Sequence, residues 1–526
     1  MTPRKRIFFN VLASHGRSVF VLLCSFLTSR WALAVLGAED YGLLGLIAGL
    51  VVLVTLVNDT LARSVCRFFA ISIGRQDGQA EGGEECCRWF NLAVVVHLAL
   101  AGVLMVVGYP IMVYCIRHYL SIPPEKVSDC IAVWRWVCVS AFISMVCVPF
   151  RALYTAYQYI AELTVYQVFQ TTAYVGALYY MLVHPGDWFV WVAMWLCFQG
   201  SFVSIAIAVR AWIRFPECRF RLGYMLDFSR LRELAKFSGW EFVGAYSFAC
   251  RNQGMALLVN KCYGVGMNAP FAISMSLAGR AQTFANEVDG AFSPAISTAY
   301  GQEDRHSVQT LSLACCKYST CLVVLIAMPM VLVMDDFLTF WLVNPPLHTA
   351  EICICITFSY VIDKLTNGLH YAILASGQNR QLQLSIGICY ILTVVSAFLA
   401  WACGMGIDAV GGAFIVSSFF ICCCRIALAK RLLQIHAVQW CRVVLVPIVV
   451  TVLLSSLLPV LLRIYVASGL GRIVFLPMTF VLVFVGLGWH FILSGDERAR
   501  VWSGIESRIR NLLTEKTKDR AVQKAG

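Results

Sequence analysis

The sequence lacks any polar stretch long enough to fold as a soluble domain. Charged residues fill only 13% of its 526 positions and hydrophobic residues 60%, a balance that excludes a water-soluble globular protein and points to an integral membrane protein. Its apolar runs are about twice the ~10 residues a transmembrane strand needs, and they lack the alternation of such a strand. An all-α membrane bundle is therefore expected. None of the 23 cysteines is spaced with histidines as in a zinc site, so no metal is expected. Most of them fall in apolar runs, where cysteine behaves as a small apolar residue and disulfides are not expected. There is no Asp-x-Asp motif, no nucleophile constellation and no large outer loop, so no catalytic residue is expected. A cleaved signal peptide is disfavoured because Arg17 and Arg30 interrupt its apolar core.

What is present is a succession of spanning-length runs, among them 41–57, 163–183, 384–403 and 473–493. With their flanks they read as about fourteen transmembrane helices, beginning 10–36 and 41–61, with the fourth at 130–149. The implied organisation is an N-terminal six-helix lobe (1–212), a linker (213–232), a C-terminal six-helix lobe (233–430), helices 13 and 14 (431–494) and a basic tail (495–526).

Basic residues mark one face of the membrane. Arg4, Lys5 and Arg6, the loop with Arg63, Arg67, Arg75 and Arg88, and the tail from Arg498 to Lys524 share it, while the opposite loops hold only Arg117, Lys126 and Arg472. By the positive-inside rule both termini are cytoplasmic, and the net charge of +12 reflects topology rather than nucleic-acid binding. In the tail, Val501, Ile505, Ile509 and Leu512 share a helical face, which suggests contact with membrane lipids.

The halves of the chain repeat. Gly74-Arg75-Gln76-Asp77 corresponds to Gly301-Gln302-Glu303-Asp304 at an offset of 227, Arg30 to Arg251 at 221, and TAYQYIAEL (155–163) to LASGQNRQL (374–382) at 219. An even number of spans per unit makes the lobes parallel repeats, with a cavity between them.

Charges inside spans are functional suspects because lipid penalises them. Arg17 and Arg30 lie in the first span, Glu241 and Arg251 in the seventh, Arg280, Glu287 and Asp289 in the eighth, and Asp363 beside Lys364 in the tenth. Arg30, Arg251 and Arg280 are expected to face the cavity, where a guanidinium fork suits phosphate oxygens. For Arg17 the alternatives are snorkelling, pairing with an acid such as Glu287, or binding substrate. Glu241, Glu287, Asp289 and Asp363 are the candidates for ion coupling, and Pro294 is expected to kink the eighth span.

The runs RWALAVLGAEDYGLLGLIAGLVVLVTLVNDTLARSVCRFFAISIGR, PFRALYTAYQYIAELTVYQ and AFSPAISTAYGQED resemble the polysaccharide-exporter, O-antigen flippase-like branch of the multidrug/oligosaccharidyl-lipid/polysaccharide (MOP) superfamily. The resemblance implies two six-helix lobes plus a pair, in the bacterial inner membrane. It also implies alternating-access flipping of a polyprenyl-diphosphate-linked oligosaccharide, a precursor of polysaccharide or lipopolysaccharide. Arg17, Arg30 and Arg251 are the positions that match the cationic cavity of the lipid II relatives. No cofactor is implied beyond coupling to H+ or Na+. The implied partners are the lipid-linked oligosaccharide, membrane lipids and polysaccharide-assembly proteins, with no nucleic acid. The alternatives are a cation-coupled multidrug antiporter of the same fold and, from another class, a membrane glycan polymerase or glycosyltransferase.

Overall fold

Backbone groups in lipid must be satisfied within the chain, and long apolar runs with few breakers achieve this by winding into helices. The computed structural model is helical along its length, with no strand among the described residues, which are 3–50, 52–76, 81–118, 122–225, 227–263, 267–342, 345–466, 469–495 and 497–499. At some helical positions, Arg30 among them, the side chain lies outside the described structure. The amphipathic tail at 501–512 lies outside it as well.

The N-terminal half comprises α1 (Pro3–Leu50), α2 (Val52–Gln76), α3 (Glu81–Val103), α4 (Tyr109–His118), α5 (Val127–Ala156), α6 (Ile160–Val183) and α7 (Phe189–Arg214). In the C-terminal half follow α8 (Phe228–Tyr263), α9 (Asn268–Gly301), α10 (Arg305–Leu332), α11 (Met334–Leu342), α12 (Thr349–Lys364), α13 (Asn367–Ala375), α14 (Asn379–Ala402) and α15 (Asp408–Leu433). The chain ends in α16 (Ala437–Trp440), α17 (Val446–Leu462) and α18 (Leu470–Phe491). Among the described residues eight helical segments are long and apolar enough to cross a membrane, nine when α12 and α13, bent by 43°, are counted as one. Length and composition thus support nine of the fourteen crossings expected. Of the remaining long helices, α1, α2 and α9 touch one another and α8 packs on α2 and α9, so the charges they carry have neighbouring protein to face.

The repeat is visible in the packing. Helix α1 lies on α6 as α8 lies on α14, α5 on α7 as α12 on α15, and α2 on α3 as α9 on α10. Helices α6 and α7 coincide end to end with α14 and α15 under a shift of 219 residues. Helices α17 and α18 pack on each other and against α10.

Three expected boundaries move. Helix α1 runs unbroken to Leu50, so positions 39 and 40 are helical rather than in a loop, and Asp40 accepts a hydrogen bond from Lys126 Nζ at 2.9 Å. Helix α2 continues to Gln76 instead of ending at 61, and α5 continues through Pro149 to Ala156 instead of ending at 149. No proline occurs between Pro3 and Pro110 to stop either of the first two helices. The extensions place Arg63, Arg67 and Arg151 on helices instead of in loops.

The lobes meet where α2 crosses α9. A Cβ on Gly74 would lie 2.2 Å from the Thr298 carbonyl oxygen, and one on Gly301 would lie 2.3 Å from that of Ile71. Gly74 and Gly301 are 227 residues apart, as are Ile71 and Thr298, so each glycine meets the repeat-mate of the other's partner. The absence of side chains lets the two backbones touch.

A cationic cavity between the lobes

Next to this crossing lies a cavity of about 230 Å³, walled by α2 and α5 from one lobe and by α8, α9 and α13 from the other. Arg63 and Arg67, four residues apart, share one face of α2 and both reach it, as do Arg151 of α5 and Glu241 of α8. Arg63 donates to Thr60 Oγ1 at 3.2 Å. Arg67 spans the lobes: its Nε donates to the Leu374 carbonyl at 2.7 Å and its Nη2 to that of Ala375 at 2.8 Å, capping the C-terminal end of α13. Its guanidinium also lies 4.5 Å from the centre of the Phe237 ring. Arg151 is exposed to the cavity. Among the described residues none of these three arginines forms a salt bridge, and Glu241 is the one carboxylate on the wall. Glu241 is buried and accepts a hydrogen bond from Gln383 Nε2 at 2.5 Å. Three guanidiniums against one carboxylate make a site that attracts anions, and forked donors favour phosphate.

The residues singled out from the sequence are dispersed. Arg17 donates to Gln167 Oε1 at 2.6 Å and pairs with Glu287, which also accepts from Ser18 Oγ at 2.7 Å. That pair joins α1 to α9 and is one of the alternatives weighed for Arg17. Arg251 is 3% exposed and does not line the cavity. It sits among the rings of Phe248, Tyr390 and Phe414, 4.5–4.9 Å from their centres, because its face of α8 turns toward α14 and α15. The expectation that Arg251 opens into the central cavity therefore does not hold in this structure. The side chain of Arg30, its expected counterpart, is outside the described structure. Arg280 is exposed on α9, about 15 Å along the helix from Gly290 of the cavity wall, and does not line the cavity. Pro294 lines the cavity within a continuous α9.

The remaining acids belong to the C-terminal lobe. Asp289 accepts from Lys364 Nζ at 2.5 Å and from Asn367 Nδ2 at 2.6 Å, all deep in the protein. Asp363 pairs with Arg425 at 2.9 Å. Both pairs flank the break between α12 and α13, where two carbonyls find distant partners: that of Asp363, also reached by the Thr366 N–H at 3.4 Å, accepts from Arg425 Nη1 at 3.1 Å, and that of Leu365 accepts from Trp440 Nε1 at 2.9 Å. Of the four acids proposed for ion coupling, Glu241 alone reaches the cavity.

Sequence reasoning missed Arg63, Arg67 and Arg151 by assigning the first two to a cytoplasmic loop and by ending the fourth span short of the third. The available signal was the four-residue spacing of Arg63 and Arg67 in a stretch with no helix breaker.

Known structures share this architecture. An outward-facing multidrug resistance transporter of the MATE family, in the MOP superfamily, superposes with a TM-score of 0.68 at 13% identity, covering 82% of this chain and 97% of its own. A MOP superfamily transporter from Pyrococcus furiosus, described as having a binding pocket of reversed polarity that suggests a different function, gives 0.67 at 13% identity over 82% and 97%. A MATE transporter in a bent conformation gives 0.64 at 12% identity over 82% and 96%. No family model and no curated protein matches the sequence. At such identities the likeness establishes a MATE-like transporter fold.

Proposed function

We propose that the chain flips a polyprenyl-diphosphate-linked oligosaccharide across the bacterial inner membrane by alternating access, with both termini cytoplasmic. The observation that carries this reading is the excess of arginine in the inter-lobe cavity: Arg63, Arg67 and Arg151 against Glu241. The diphosphate would rest on these guanidiniums, the glycan would cross between the lobes, and the polyprenyl tail would stay in lipid. No step makes or breaks a covalent bond, so the protein acts as a carrier rather than an enzyme. Polysaccharide-assembly proteins are the partners such a carrier would serve.

Arg67 gives substrate binding a route to lobe motion. A phosphate oxygen competing for its Nε and Nη2 would release the carbonyls of Leu374 and Ala375 and free α13 from the N-terminal lobe. Glu241 is the acid best placed to couple this motion to H+ or Na+, since it shares the wall with Arg63 and Arg67.

A second reading, a cation-coupled multidrug antiporter, is favoured by the MATE-like fold and would use Glu241 against an organic cation. Reconstitution into vesicles with a fluorescent polyprenyl-diphosphate sugar separates the two. Wild type should transfer the lipid between leaflets, and Arg63→Ala with Arg151→Ala should lose at least about tenfold in apparent affinity, since one charged hydrogen bond contributes ~1.5–3 kcal/mol. Absence of lipid transfer by wild type, together with ion-dependent exchange of an organic cation, would replace the flippase reading with the antiporter.

A further inference from the structure

A second cavity, of about 180 Å³, lies inside the N-terminal lobe among α2, α5, α6 and α7. It shares Val148 and Arg151 with the inter-lobe cavity, so Arg151 stands at the junction of the two. Its polar wall is made of amides and hydroxyls: Asn58, Gln167, Gln170, Ser144 and Ser204. Among the described residues no carboxylate lines it, and Arg151 borders it, so a cation is disfavoured. Asn58 Oδ1 is buried and has no hydrogen-bond partner among the described residues, so the wall presents an acceptor that an anionic oxygen cannot satisfy but an O–H or N–H can. Gln167 Oε1 is already taken by Arg17, which leaves its Nε2 free to donate. Neutral donors and acceptors beside a guanidinium match a hydroxylated ring attached to a phosphate.

The fold does not require this polarity. Under the 219-residue shift Gln167 and Gln170 correspond to Ile386 and Cys389, both buried in the apolar core of the other lobe. Ser144 corresponds to Asp363 and Ala206 to Arg425, the ion pair that occupies that lobe's equivalent position. One lobe is filled at this position and the other is open and lined with hydrogen-bonding groups.

We infer that the N-lobe cavity seats the first sugar of the cargo, the ring joined directly to the diphosphate, with Asn58, Gln167, Gln170 and Ser204 setting which sugar is accepted. This rests on the reading of the cargo as a diphosphate-linked glycan. The test uses the full chain in nanodiscs and measures binding of polyprenyl diphosphate, bare or carrying a single glucose, galactose, N-acetylglucosamine or N-acetylgalactosamine. At least one sugar-bearing lipid should bind about tenfold more tightly than the bare lipid, as expected for two or three added hydrogen bonds. Gln170→Leu and Ser204→Leu should erase that difference and leave bare-lipid affinity unchanged, with melting temperatures confirming that they fold. If the bare lipid binds and no sugar improves on it, the sugar seat is wrong while the flippase reading stands, and wild type alone is enough to decide this. If the bare lipid does not bind, the flippase reading fails and the sugar seat falls with it.

Discussion

Replacing Gly301 by alanine tests whether the contact between α2 and α9 holds the lobes together. The new methyl group would lie 2.3 Å from the Ile71 oxygen and 2.9 Å from its carbonyl carbon, and neither atom belongs to a side chain that can rotate away. To restore ordinary contact the helices must part by about 1 Å, and overpacking of this kind costs about 1–3 kcal/mol. If that cost falls on the closed arrangement alone, its population relative to any open one drops by roughly 5- to 150-fold. Gly74→Ala should do the same through the Thr298 oxygen, and the double variant should fall short of the sum, because helices already parted accommodate the second methyl cheaply. Gly279→Ala is the control, since a Cβ there meets open space on the same helix. The readout is the distance between genetically encoded spin labels at Arg219 and Arg305, one exposed site in each half, because 23 cysteines preclude thiol labelling. Gly301→Ala should broaden and lengthen that distance and change the rate of leaflet transfer. A distribution indistinguishable from that of Gly279→Ala would refute the role of the crossing.

Two further outcomes follow from the ion pairs. Arg17 and Glu287, with side chains 23% and 18% exposed, link α1 to α9, so a thermal-melt cycle of Arg17→Gln, Glu287→Gln and the double variant should give a coupling of about 1 kcal/mol, and simple additivity would show that the pair contributes nothing. Beyond α18, burial pushes the Glu497 carboxyl up, but hydrogen bonds from Lys317, Tyr318 and the Ser494 amide outweigh it and hold the group down at about 2, against an ordinary 4.5. A depressed acid stabilises the fold fully above its ordinary value and loses that contribution as pH falls toward 2. The melting temperature of wild type should therefore exceed that of Glu497→Gln at pH 7 and converge on it between pH 4.5 and 2; a gap that persists undiminished at pH 2.5 would contradict the assignment.

The membrane class, the all-helical architecture and the repeat were legible because they depend on composition and on offsets, which survive errors of a few residues at any boundary. The site was less legible because it depends on where helices end. Hydropathy closes a span at the first charges after an apolar run, as at Asp59 and Arg63, but a helix walled by protein keeps winding past them. Arg67 was therefore read as a loop residue when it caps a helix of the opposite lobe. Arg251 failed for a complementary reason: its position in an apolar span was visible, but three rings that accommodate it come from α8, α14 and α15, and no local pattern announces their convergence. Asp289 and Lys364, 75 residues apart in sequence, likewise looked like two separate anomalies until the fold made them one pair.

The break between α12 and α13 bears on how the chain is made. The carbonyl of Leu365 accepts from Trp440, 75 residues further on, and that of Asp363, which the Thr366 N–H reaches only at 3.4 Å, takes its shorter bond from Arg425, 62 residues further on. A chain emerging from its N-terminus must therefore deliver this segment before either partner has been synthesised. Until α15 and α16 follow, the break leaves the Leu365 carbonyl, which hydrocarbon cannot solvate, without its partner. The C-terminal lobe thus cannot reach its final packing span by span. Its hinge is completed from downstream, and a nascent chain halted before Trp440 carries an unfinished helix that invites water, a chaperone or a protease.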